Sequence, residues 1–248
     1  MLKIRIIPIL TFNGFGLVKT INFNSPRMVG NPVQSARVYN RRGVDELVFL
    51  DINASKQNRK INLNIVKDVI KECFMPVGIG GGVNTIEDIN NLLKIGADKV
   101  VIKTAAINNP AFINQASRFF GAQCVTISVD AVLNNDEYFI YNQGVTKIKV
   151  SDFTKQMEAI GAGEIILTSV DKDGVMNGFD CKLYNSVEKT TNLPIVMAGG
   201  GGNLTHYEVL FSQTSCEAVG SSSIFHFTQF TPLDIKLKLK EMGKPIRI

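Results

Sequence analysis

The sequence predicts a (βα)8 barrel (TIM barrel) of the α/β class, built from two (βα)4 half-barrels in one domain over residues 1–248. Three observations predict it. Eight short apolar runs alternate with helical patterns along the chain. Strands that are apolar throughout belong to parallel sheets covered on both faces, because each crossover helix lies against the sheet. The second half of the chain repeats signatures of the first, and 248 residues suit one barrel of about 250 residues. An open, doubly wound sheet is the alternative that the alternation by itself leaves.

Each element has its own local reason. The first strand is Ile4–Leu10, running into the turn residues Asn13-Gly14. Asn31-Pro32 supplies a cap and a first-turn proline, and the helix it opens stops at Gly43. Glu46–Asp51 is the second strand. Ile65, Val66, Val69, Ile70 and Cys73 share one helical face and lead to the strand Pro76–Ile79. Ile86, Ile89 and Leu93 mark the next helix, which stops at Gly96 before the strand Lys99–Ile102. Asn109-Pro110 opens another helix, and Cys124–Asp130 is the fifth strand. Glu164–Ser169, Pro194–Ala198 and Cys216–Gly220 complete the set, and Pro232 to Met242 forms the closing helix.

Composition narrows the class. The net charge is +5, and the Lys and Arg residues are scattered, so a nucleic-acid groove is not expected. Four cysteines without CxxC spacing sit in apolar segments, which suits reduced thiols in a cytoplasm and no structural zinc. The opening MLKIRIIPIL has too short an apolar run for a signal peptide, and no segment reaches about 18 apolar residues, so no membrane span is expected. No metal and no cofactor is expected.

The half-length repeat carries the functional argument. Phe49–Ser55 (FLDINAS) matches Leu167–Gly174 (LTSVDKDG), and Gly78–Thr85 (GIGGGVNT) matches Met197–Thr205 (MAGGGGNLT). Asp51 and Asp171 lie 120 positions apart, and Gly81 and Gly200 lie 119 apart. The 119 offset carries Asp130, at the end of strand five, onto Thr11. One half has an acid at a strand end and the other half has lost it.

The glycine runs Gly80–Gly82 and Gly199–Gly202 each follow a strand and precede a helix. Such turns let backbone N–H groups approach an anion, and the helix amino terminus adds about half a positive charge. Ser222 and Ser223 add hydroxyls after strand eight, the usual barrel phosphate position, and Thr104 serves the other half. Two cradles at opposite sides of one mouth suit a ligand phosphorylated at both ends; the plain alternative is that the glycines only make tight turns. Asp51, Asp130, Asp171 and Asp173 converge on the carboxyl-terminal face, with helix capping or ion pairing as the plain role, and one of that kind expected for Asp171. His206 lies early in a helix and His226 sits in the aromatic FHF run, where core packing is expected. No Ser–His–Asp or Cys–His pairing points to a covalent nucleophile.

These residues bring in a resemblance. Over essentially its whole length the chain resembles the cyclase subunit of imidazole glycerol phosphate synthase, the HisF type. The carriers are Arg5-Ile-Ile-Pro, Val18-Lys19, Asp45-Glu-Leu-Val-Phe-Leu-Asp51, Gly80-Gly-Gly-Val, Gly96-Ala-Asp-Lys-Val, Gly161-Ala-Gly-Glu, Asp171-Lys-Asp-Gly174 and Ile224-Phe-His-Phe227. The resemblance implies a lyase-type synthase subunit in a heterodimer with a class I glutaminase. Ammonia released there crosses the barrel and attacks a doubly phosphorylated ribulosyl intermediate, with two aspartates as general acid and base. Asp130 matches the second aspartate and Thr11 falls on the first, where it lacks a carboxyl's proton chemistry. Lys19, Asp51, Gly82, Thr104, Thr168, Asp173, Gly174, Gly200, Ser222 and Ser223 match ligand-binding positions. Lys103 departs from the usual Asn, and Val175 from the usual Thr.

At the other end of the barrel, Arg5, Glu46, Lys99 and Glu164 open strands one, two, four and six. Read by themselves they are solvated charges. Under the resemblance they match a ring that gates the ammonia inlet. An intact inlet beside a broken acid–base pair resembles an offshoot of the family, whose members pass ammonia to a third enzyme that amidates a nucleotide sugar for surface polysaccharide. The run Gly16-Leu-Val-Lys-Thr20 resembles that offshoot too. A genuine histidine-pathway cyclase, and a non-catalytic scaffold or activator of the glutaminase, are the alternatives.

Overall fold

The computed structural model describes residues 3–248. The chain runs β1 (Arg5–Phe12), β2 (Leu17–Ile21), β3 (Asn24–Gly30), α1 (Pro32–Arg41), β4 (Leu47–Asp51), α2 (Leu63–Lys71), β5 (Val77–Gly80), α3 (Ile86–Lys94) and β6 (Lys99–Ile102). Next come α4 (Thr104–Asn108), α5 (Pro110–Phe120), β7 (Val125–Asn134), β8 (Glu137–Tyr141), β9 (Val145–Lys149), α6 (Val150–Ala159) and β10 (Glu164–Ser169). The last elements are α7 (Cys181–Glu188), β11 (Ile195–Ala198), α8 (Leu204–Gln213), β12 (Ala218–Ser221), α9 (Ser223–Phe227) and α10 (Pro232–Glu241).

Eight of these strands close a parallel barrel in the order β1, β4, β5, β6, β7, β10, β11, β12. β12 returns to β1, with Arg5 beside Ala218, and β7 meets β10 over six paired positions from Thr126–Glu164 to Ala131–Ser169. This closure excludes the open sheet. Two apolar layers follow from strand alternation. A large cluster fills the space between strands and helices, with Ile6, Leu10, Phe49 and Tyr207 among its fully buried members. A small one, including Ile7, Val48, Val101, Ile166 and Val196, fills the lumen.

The helix signals operate as chemistry predicts in most places. Asn31 accepts hydrogen bonds from the Val33 and Gln34 N–H groups, and Pro32 takes the first turn. Asn109 differs: it precedes Pro110, but its side chain makes no capping hydrogen bond. Thr231 and Asp234 form a reciprocal capping box at α10. That helix is pinned to the barrel by Lys236, whose ammonium donates to the Gly43 carbonyl at 2.8 Å and to Asp45 at 2.9 Å.

Three features depart from the sequence reading. β1 extends through Phe12, so Thr11 lies inside the strand beside Leu50 rather than beyond its end. A hairpin, β2–β3, follows β1, and a meander, β7–β8–β9, follows at the equivalent place in the second half. Their turns put Asn22 and Phe23, and Asn135 and Asp136, at positive φ, the geometry of a tight primed hairpin turn. Asn tolerates that conformation, whereas Phe23 is held there at a cost.

Candidate functional site

The carboxyl ends of the barrel strands surround a cavity of about 230 Å³. Thr11, Lys19, Asp51, Asp130, Thr168 and Asp173 all line it. So do the glycine-loop and hydroxyl residues Gly82, Thr104, Gly174, Gly200, Ser222 and Ser223. These residues therefore face one space, whereas Asp171, expected beside them, does not line it. What each side chain is engaged in decides what the space can do.

The acid–base positions are occupied unlike a proton-transfer pair. The Thr11 hydroxyl donates to the Val18 carbonyl, tying β1 to its hairpin. Asp130 is in direct ion pair with Lys103 at 2.5 Å, and Ser128 Oγ lies 3.5 Å from its other oxygen. Lys103 also stands 5.9 Å from the rings of both Phe23 and Tyr141, which meet edge to face at 5.8 Å. The two hairpins thus roof the mouth, one aromatic from each, with a lysine beneath. Sequence reasoning named Lys103 as a departure but missed this arrangement, because nothing in a chain segment states which distant residue it will meet.

Asp51 is fully engaged within the protein. It takes two hydrogen bonds from Arg59 at 2.6 and 2.9 Å and accepts from the Asn53 and Ala54 N–H groups. Asp171 takes the plain structural role expected of it, accepting from the Leu133 N–H at 2.9 Å and fixing the base of the second hairpin. Asp173 is different. Burial raises its carboxyl above the usual range, Lys19 pulls the other way, Asp130 adds to the rise, and Thr20 lends a hydrogen bond. Lys19 is only 5% exposed and forms no ion pair among the described residues, so its ammonium is available to an anion in the cavity.

The loops show how close backbone approach is built. Gly82 has φ 68°, and a Cβ there would lie 2.4 Å from the Arg59 carbonyl. At Gly174 a Cβ would meet the Thr20 carbonyl at 1.9 Å, so only glycine lets this loop seat against the first hairpin. Ser222 Oγ is buried and has no hydrogen-bond partner, an orphan that a ligand oxygen would satisfy. Of the two histidines, His206 lies in the first turn of α8 as expected, and His226 departs from expectation. His206 Nδ1 accepts from the Gly202 N–H at 3.1 Å and so holds one glycine loop. His226 is half-buried rather than core; burial first, then the Lys19 charge, push its imidazole down to about 4. No set of three or more His, Cys, Asp and Glu side chains among the described residues is placed to hold a metal ion, and no helix there is long and apolar enough to cross a membrane.

At the opposite end the four strand-opening charges form a closed ring. Arg5 donates to Glu46 at 2.8 Å and to Glu164 at 2.6 Å. Lys99 bridges the same two carboxylates, at 3.0 Å to Glu46 and 2.8 Å to Glu164. Alternating signs leave the ring neutral, and every charge has two partners of opposite sign. Burial disfavours the Arg5 cation, but Glu164 and Glu46 outweigh it and raise its guanidinium above the ordinary value. These charges are therefore paired with one another in a ring at the strand starts rather than separately solvated.

The sequence profile of the histidine biosynthesis protein family matches residues 5–231. The chain belongs to that family. Among its relatives, the imidazole glycerol phosphate synthase subunit HisF of Staphylococcus saprophyticus is 40% identical over 252 aligned residues, covering the whole of both chains. The HisF subunit of Staphylococcus carnosus is also 40% identical, over all of this chain and 99% of its own. That of Natranaerobius thermophilus is 39% identical over the full length of both.

Proposed function

We propose that this chain is the barrel subunit of a glutamine amidotransferase. A class I glutaminase partner docks on the ring face, ammonia passes the ring and lumen, and it emerges at the mouth for amidation of a nucleotide sugar in surface-polysaccharide synthesis, carried out with a third enzyme. The observation that carries this reading is the contrast between the two ends. The ring is complete, with four charge contacts between 2.6 and 3.0 Å. At the mouth the proton-transfer pair is replaced by a hydroxyl held by a carbonyl and a carboxylate held by a lysine. An apolar lumen admits neutral ammonia, while ammonium would lose hydration it cannot recover there.

Mixing the purified chain with its cognate glutaminase is expected to give a heterodimer by light scattering and to raise glutamine hydrolysis. No association and unchanged hydrolysis would end the conduit reading.

A second reading, the histidine-pathway cyclase, is favoured by the orphan Ser222 hydroxyl, the buried Lys19, which has no ion pair among the described residues, and the relatives' names. Both readings allow a phosphorylated ligand. Crystals soaked in sulfate or phosphate are expected to show one anion bonded to Ser222 Oγ near Gly174, Gly200 and Ser223, and a second near Gly82 and Thr104. If both loops stay empty, a doubly phosphorylated ligand is wrong for this mouth.

A further inference from the structure

The lumen between ring and mouth is apolar on all walls but one. Inward positions on most strands carry residues such as Ile7, Val48, Val101 and Ile166. On β7 the corresponding positions are Thr126 and Ser128, below Asp130, and they are 1% and 9% exposed. Valine and alanine would pack there without a polar atom to satisfy, so these hydroxyls demand a reason.

Each hydroxyl is turned to a carboxylate. Thr126 Oγ1 lies 3.4 Å from Glu164 of the ring, and Ser128 Oγ lies 3.5 Å from Asp130 at the mouth. Both contacts are long for hydrogen bonds. A hydroxyl that donates to its carboxylate keeps its oxygen lone pairs to accept from a molecule beside it. Two residues along a strand span about 6.6–6.8 Å, and two hydrogen bonds of about 2.9 Å each reach nearly that far through one small molecule. Space for it exists nearby. The mouth cavity reaches down to Ser128, Val101 and Ile166, and Val101 pairs with Thr126.

We propose that Thr126 and Ser128 form a hydrogen-bonding ladder on one wall of the lumen, holding a single small neutral donor, ammonia in the working protein, between the ring and the mouth. The proposal rests on the conduit reading above. Ammonia donates one N–H to each hydroxyl oxygen, and no covalent bond is made or broken. Because both hydroxyls act as acceptors, the wall favours a molecule with several N–H or O–H groups. The apolar walls opposite disfavour a cation. Thr126 and Ser128 are thus positioning residues.

The test is crystallographic. Crystals of the full chain equilibrated in deuterated ammonium chloride are expected to show one ordered molecule within about 3.3 Å of both oxygens, with three deuterons resolved by neutron diffraction. The peak should vanish in Thr126→Val, which keeps the shape of the side chain, and in Ser128→Ala. A dry lumen in the unmodified chain, a peak surviving both substitutions, or a two-deuteron water at every ammonium concentration overturns the ladder. Binding and activation of the glutaminase are measured on the unmodified chain alone, since Thr126 touches Glu164 of the docking ring. Loss of glutaminase activation in the unmodified chain would sink the conduit instead, so the two failures are separable.

Discussion

Changing Thr11→Asp and Lys103→Asn together is expected to raise closure of the imidazole ring, from the ribulosyl intermediate and ammonium salt, by about 10²–10⁴-fold over the unmodified chain. That range is what general acid–base catalysis typically contributes. The first change restores a carboxyl where the hydroxyl now serves only the Val18 carbonyl. The second releases the Asp130 oxygen that Lys103 holds at 2.5 Å. Either change alone should gain little, because a proton-transfer pair acts as a unit. Product formation under saturating ammonium salt is the measurement. An unmodified chain already turning over at about 1 s⁻¹ or faster would overturn the sugar-amidation proposal and make this protein the histidine-pathway cyclase.

Lys236→Met is expected to cost roughly 3–5 kcal/mol of folding stability, the usual penalty for removing one partner of a buried ion pair. Lys236 is 3% exposed; its loss leaves Asp45, which also accepts from the Ile6 N–H at 2.9 Å, as a buried charge. The Gly43 carbonyl loses its donor in the same step. For a chain of this length about 2–4 °C of Tm accompanies each kcal/mol, so a fall of roughly 6–20 °C is expected. Urea and thermal unfolding followed by circular dichroism measure it. A loss below about 1 kcal/mol would show that water replaces the ammonium and that α10 is not held by this pair.

How much of this was legible in the sequence differs by the physics involved. Strand order and closure were legible, since doubly buried strands such as Ile195–Ala198 have no polar position to confuse them. The ring was legible as positions only. Arg5, Glu46, Lys99 and Glu164 sit at the start of their strands whether or not they meet, and only barrel closure brings them within hydrogen-bond reach. The first hairpin was illegible because β3 is exposed along most of its length and its turn, Asn22-Phe23, lacks the glycine that announces such turns. Asp51 read as a ligand residue because nothing near it in sequence reveals that Arg59 folds back onto both of its oxygens. The Lys103–Asp130 contact needs two neighbouring barrel strands in register, which no local pattern encodes.

The aromatic roof has a consequence for concentration. Phe23 and Tyr141 come from opposite halves of the barrel and meet above a cavity of about 230 Å³. One molecule confined to such a volume is at a local level on the order of several molar; the effective molarities of about 10⁵–10⁸ M reached by well-oriented groups need alignment as well as enclosure. Ammonia delivered from below would meet its acceptor at that level however dilute it is outside. Parting the two rings would return it to the dilution of the surrounding solvent.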